Sequence, residues 1–172
     1  MKDVEVRLIS ELMKNSRQSD RQLAKILGVS QPTITRIRTR LEKTGIIKEY
    51  TMIPDLTKLG YQLLGITLIK GTKALTEEEF KEVRKKTNEL ESKNPHADLM
   101  AVNGMGFDKD TLFITFYEDY SKYSKAMTLV REVPFMNLDE IESFLVDLND
   151  KRNYRLLSMS AIANHILTMK KA

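Results

Sequence analysis

The chain has 172 residues, 41% of them hydrophobic and 30% charged, with two histidines and no cysteine. It is apolar enough for one medium domain or two small ones, while disulfides, thiolate zinc sites and Cys–His nucleophiles are excluded by inventory. No stretch approaches the roughly 18 consecutive apolar residues of a membrane span, and the start, MKDVEVRLISELMK, is charged where a secretory leader is apolar, so a cytoplasmic location is expected.

The net charge of +4 is unevenly placed: residues 1–50 carry 11 Lys and Arg against 6 Asp and Glu, and residues 51–172 carry 17 against 18. A polyanionic partner is therefore expected at the N-terminal part, and the remainder has no electrostatic reason to meet one.

Val4, Leu8, Ile9, Leu12 and Met13 recur at helical spacing and predict a helix over about 3–14. Ser19-Asp-Arg-Gln22 has capping-box spacing and opens a second helix, in which Leu23, Ala24, Ile26 and Leu27 face inward and which Gly28 ends by a left-handed turn. Ser30 or Gln31 caps a third helix that tolerates Pro32 in its first turn. On it Ile34, Ile37 and Leu41 form a buried stripe, and the opposite side presents Pro32, Thr35, Arg36, Thr39 and Lys43, with Arg40 beside them.

Two helices, a turn glycine and a basic, hydroxylic third helix in this order predict a helix-turn-helix reader of double-stranded DNA. Gln31, Pro32, Thr33, Thr35, Arg36, Arg38, Thr39, Arg40 and Lys43 are its candidate contacts. Arg36 and Arg40 are expected near base edges, and Arg38, Lys43 and Lys48 near phosphates. Arg17 and Arg21 are further phosphate candidates. Residues 46–53 read as a β-strand, the wing after the third helix.

The run from Arg21 to Tyr50, RQLAKILGVSQPTITRIRTRLEKTGIIKEY, resembles the DNA-binding domain of the Lrp/AsnC feast-or-famine regulators, through Leu41-Glu42, Gly45, Ile47 and Tyr50 and on into Ile53-Pro-Asp-Leu-Thr-Lys-Leu-Gly60. The resemblance is strong over about 1–60. It implies a second domain of ferredoxin-like architecture that dimerises and often takes an amino acid.

The remaining residues carry their own pattern. Residues 61–70 read as a strand, and Thr76 to Glu79 caps a helix with Phe80, Val83 and Leu90 inward that closes at Asn94-Pro95. Strands over 99–103 and 111–118 flank the turn NGMGFDKD; a helix from Tyr120 follows, with Tyr123, Met127, Val130 and Val133 inward until Pro134, and then a strand over 141–148. The expected class is α+β: a winged helix-turn-helix over 1–53, a linker over 54–60, a ferredoxin-like βαββαβ domain with an antiparallel sheet over 61–150, and a tail with a helix over 151–172.

Leu112, Ile114 and Phe116 alternate with Phe113, Thr115 and Tyr117, which puts large side chains on both sheet faces although helices cover one. The uncovered face predicts a homodimer or higher oligomer. The tail has two candidate contacts, the partner or the first domain.

In the resembling family an effector site lies near a Gly-x-x-Asp-type turn between the second and third strands, which makes Gly104, Gly106, Asp108 and Asp110 candidate effector contacts, for a ligand such as an amino acid. The same residues are also what a hairpin needs for its own turn. No catalytic residue, cofactor or metal is expected. A siroheme-decarboxylase-like enzyme on this architecture would need basic and histidine residues around a tetrapyrrole, whereas His96 and His165 lie in separate segments. A protein-interaction module that had lost DNA binding would show acidic or apolar residues on the third helix's outer face.

Overall fold

The computed structural model describes residues 1–93, 95, 97–153 and 157–169, with backbone alone for 136–140. The helix closure expected at Asn94, the loop histidine His96 and the tail's Leu156 lie outside the described residues. Two compact units are present: Met1–Pro54 together with the C-terminal segment, and Asp55–Asn153. No helix among the described residues is long and apolar enough to cross a membrane.

In the first unit α1 (Asp3–Lys14), α2 (Asp20–Leu27) and α3 (Gln31–Lys43) close on one core. Leu8, Leu12, Leu23, Leu27, Ile34, Ile37 and Leu41 fill it, with Ala24 the small residue among them. Ser19 and Gln22 cap α2 reciprocally, and Gly28 ends it at φ 70°, where the N–H groups of Gly28 and Val29 both return to the carbonyl of Ala24. Ser30 caps α3, with Pro32 in the first turn. The tail supplies α6 (Ser160–His165), which packs on α1: Ala163 is fully buried, and its carbonyl accepts a hydrogen bond from Ser10 at 2.7 Å. Of the two contacts open to the tail, the structure shows the first domain.

The strand expected over 46–53 does not form. A strand requires a ladder partner, and no described segment pairs with this one. It is held instead at isolated points, by the Ile46 and Ile47 N–H groups on the Leu41 carbonyl, by the Ser16 hydroxyl on the Thr51 carbonyl and by Tyr50 on Glu42. Ile46, Tyr50, Met52 and Ile53 are left exposed.

The second unit runs β1 (Leu63–Gly71), α4 (Glu77–Lys93), β2 (Ala97–Gly106), β3 (Lys109–Tyr117), α5 (Tyr120–Val130) and β4 (Met136–Asp147). Its four strands are antiparallel in the order β2-β3-β1-β4, the ferredoxin-like arrangement expected. β2 and β4 are longer than their apolar alternation suggested, because ladder pairing with β3 and β1 continues through polar ends and past register shifts at Asp98/Met100 and Leu68/Lys70. Helix α5 stops at Val130, short of Pro134, in two tight turns from Glu132 to Leu129 and Val133 to Val130. Phe80, expected inward, is exposed in the first turn of α4.

The two sheet faces differ. Gly65, Thr67, Ile69, Phe113, Thr115 and Tyr117 lie on one side with α4 and α5 over it. Leu64, Ile66 and Leu68 pair with Phe116, Ile114 and Leu112 on the other, where Met100, Val102 and Phe144 are exposed.

Candidate nucleic-acid interface

Helix α3 turns its buried stripe into the core and leaves Gln31, Pro32, Thr35, Arg36, Thr39, Arg40 and Lys43 exposed, with Thr33 and Arg38 half-buried. The separation follows from 100° per residue applied to Ile34, Ile37 and Leu41. Arg17, Arg21 and Lys48 are also exposed. Among the described residues, none pairs with the side-chain charges of Arg17, Arg21, Arg36, Lys43 or Lys48, so these five cations face solvent unneutralised.

Arg38 and Arg40 are placed differently. The Arg38 guanidinium turns back toward α2, where it meets Asp20 at 2.9 Å and the Gln18 carbonyl at 3.2 Å and lies 5.8 Å over the Tyr50 ring. Arg40 reaches across to α1 and pairs with Glu5, whose side chain is 7% exposed. Burial works against the Glu5 charge, and the Arg40 guanidinium and the Lys2 backbone N–H outweigh it, holding the carboxyl below its ordinary range. These two arginines fix the angle of α3 on its neighbours.

Asp20, in the first turn of α2, accepts on both oxygens: Arg38 donates to one, and the Thr35 hydroxyl donates to the other at 2.6 Å. Glu42 is engaged by the Tyr50 hydroxyl at 2.7 Å; burial, then that hydrogen bond, pushes the phenol up to about 12. Asp20, Glu5, Glu42 and Tyr50 were missed as positioning residues in the sequence reading. Helical periodicity says which face a residue occupies but not which side chain from a distant helix meets it, and Glu5 and Arg40 are far apart in the chain.

In the second unit, Gly104, Gly106, Asp108 and Asp110 gather at the β2–β3 hairpin. Phe107 and Asp108 form its two-residue turn, both at positive φ, 54° and 56°. Asp108 pairs with Lys70 at 2.5 Å, and that hydrogen bond holds its carboxyl low. Asp110 accepts from the Gly71 N–H at 2.9 Å. Both carboxylates thus tie the hairpin to β1. Among the described residues no group of three His, Cys, Asp or Glu could hold a metal ion.

The geometry defines the class: a helix-turn-helix unit carried in one chain with a ferredoxin-like domain. Residues 1–48 match the family model described as winged helix-turn-helix DNA-binding. An uncharacterised HTH-type transcriptional regulator of Pyrococcus abyssi is 42% identical over 67 residues, 39% of this chain and 45% of that protein. The HTH-type transcriptional regulator LrpC of Bacillus subtilis is 42% identical over 57 residues, 33% and 40% of the two chains. The chain thus matches less than half the length of these curated relatives.

In three dimensions the likeness is longer. The crystal structure of PH0061, a protein of Pyrococcus horikoshii, superposes with a TM-score of 0.69 at 23% identity over 91% of this chain and 98% of that one. A transcriptional regulator of Neisseria meningitidis solved with L-Met gives 0.72 at 15% identity, over 91% and 96%. The chain is similar to the Lrp/AsnC regulators, in sequence over its N-terminal part and in fold over nine-tenths of its length.

Proposed function

We propose that the chain is a sequence-specific DNA-binding regulator of transcription that sets α3 into the major groove. The observation that carries this reading is the outer face of α3, where Arg36 and Lys43 are exposed and unpaired among the described residues while Arg38 and Arg40 are spent on holding the helix. Arg36 is then the base reader, able to grip guanine with two of its guanidinium nitrogens, and Lys43, Lys48, Arg17 and Arg21 set position on phosphates. Gln31, Pro32, Thr33 and Thr39 line the approach. Thr35 has its hydroxyl hydrogen committed to Asp20, so it offers a lone pair and a methyl group. It therefore suits an adenine or cytosine amino group or a thymine methyl.

The open sheet face supports a symmetric dimer: its exposed and half-buried apolar side chains face a second copy rather than water. A dimer presents two α3 helices to half-sites about one DNA turn apart. Control by a small effector is part of the proposal, and the structural relative solved with L-Met supports it. The hairpin residues Gly104, Gly106, Asp108 and Asp110 remain its candidates in the family's manner. The reading leaves no role for catalysis.

The test is Arg36→Ala on a selected site and on random DNA. A loss of about 1–3 kcal/mol on the selected site alone marks a base reader; equal losses on both reassign Arg36 to the phosphates.

A further inference from the structure

The helix-covered side of the sheet is not filled by aliphatic packing alone. A cavity of about 80 Å³ lies between the sheet and the two helices α4 and α5, room for roughly two or three waters at ~30 Å³ each, or for a short chain of heavy atoms. Its floor is hydroxylic: Thr67, Thr115 and Tyr117 line it and are 2%, 4% and 5% exposed. Both threonine hydroxyls are satisfied within the fold, Thr67 with Ser143 at 3.0 Å and Thr115 with Asp98, so they keep a polar floor under the helices without leaving a buried group unpaired. Asp98 and Glu91 stand exposed at the mouth, and the wall is aliphatic.

The charge lining this cavity is one-sided. Thr115 donates its hydroxyl hydrogen to Oδ1 of Asp98 and its hydroxyl is also hydrogen-bonded with that of Tyr117, so the second Asp98 oxygen is the principal acceptor left. Neither Lys nor Arg lines the cavity among the described residues. Tyr117 is seated here because Gly65 has no side chain: a Cβ at that position would stand 2.8 Å from the Tyr117 ring. None of the hairpin residues Gly104, Gly106, Asp108 and Asp110 takes part.

We propose that this cavity is a binding site for a small aliphatic ammonium ligand, its alkyl chain against the helix wall and its NH3+ donating to Asp98 and the Thr115 hydroxyl, with Glu91 adding charge at the entrance. A free amino acid is disfavoured, because its carboxylate would meet two carboxylates and no cation. Binding itself stands apart from the DNA-binding reading; a role for the ligand as an effector rests on it.

The test titrates the full chain, without DNA, with n-butylammonium, n-butanol and butyrate, followed by calorimetry and by methyl shifts of Met127. Butylammonium is expected to bind at least ~10-fold more tightly than butanol, the margin of a charge-assisted over a neutral hydrogen bond, and butyrate is expected to bind more weakly than both. Asp98→Asn should remove that margin, and Glu91→Gln should narrow it. Equal binding of amine and alcohol, saturation by neither, or an unchanged margin in Asp98→Asn overturns the proposal. The wild-type comparison decides even if a variant fails to fold. DNA selection on the same preparation is a separate readout, so loss of one reading leaves the other standing.

Discussion

The two compact units spend their polar and apolar groups in opposite ways. In the first, an apolar core is sealed by α1, α2, α3 and α6, and cations are left on the outside. In the second, hydroxyls are buried beneath the helices while Met100, Val102 and Phe144 stand exposed on the open sheet face. The first unit closes one apolar core and leaves cations unneutralised outside it, as the proposed reading of a polyanion requires. The second leaves apolar side chains exposed on one sheet face, which the proposed dimer would cover.

The largest expected effect breaks the first half of that contrast. Ile34 is fully buried at the base of α3, and Ile34→Ala should cost about 3–4 kcal/mol. Denaturant unfolding would show this as a lower midpoint, with DNA binding lost in parallel.

Ile66 lies near the centre of the open sheet face, opposite Ile114 and Phe144. Ile66→Asp should weaken self-association by at least ~100-fold, about 3 kcal/mol, because a desolvated carboxylate would be buried between copies. Sedimentation at several concentrations checks it, and an unchanged oligomer would mean that this face is not the interface.

The Glu5–Arg40 pair makes a smaller, pH-dependent contribution. With its folded carboxyl held below the ordinary 4.5, Glu5 contributes stability above that value and loses it as the pH falls through its lower folded value. Thermal melts from pH 6 to 3 should show the first unit weakening below about pH 4.5, with a shallower slope in Glu5→Gln. At neutral pH, Arg40→Ala should cost about 2 kcal/mol, because it strands a buried carboxylate.

The smallest effect is at the hairpin. Phe107 holds φ 54° and is 86% exposed, a backbone that favours glycine. Phe107→Gly should therefore stabilise the hairpin by roughly 0.5–1 kcal/mol, read as a small rise in the melting temperature.

The helices and strands were legible in the sequence where one residue pattern decides them. Ser19 with Gln22, Gly28 and Ser30 with Pro32 fix the boundaries of α2 and α3 locally, and the alternation of β3 places its two faces. What was not legible depends on residues distant in the chain. Arg38 and Arg40 look like free groove contacts by helical spacing, and only the positions of Asp20 and Glu5 show that both are paired with carboxylates, Arg40 with its side chain still half-exposed. Residues 46–53 carry strand-like side chains, yet a strand exists only where a second segment supplies the ladder. The seat of Tyr117 against Gly65 on the neighbouring strand, beside the cavity under α4 and α5, depends on a register that no local pattern reveals.

The most direct test of the central claim is selection of bound fragments from a random DNA library by the intact protein, sequenced after washing at two salt concentrations. The account predicts enrichment of an inverted repeat with half-sites about one helical turn apart, diminished by Arg36→Ala and weaker at higher salt. No enrichment over the input library at either salt would contradict it.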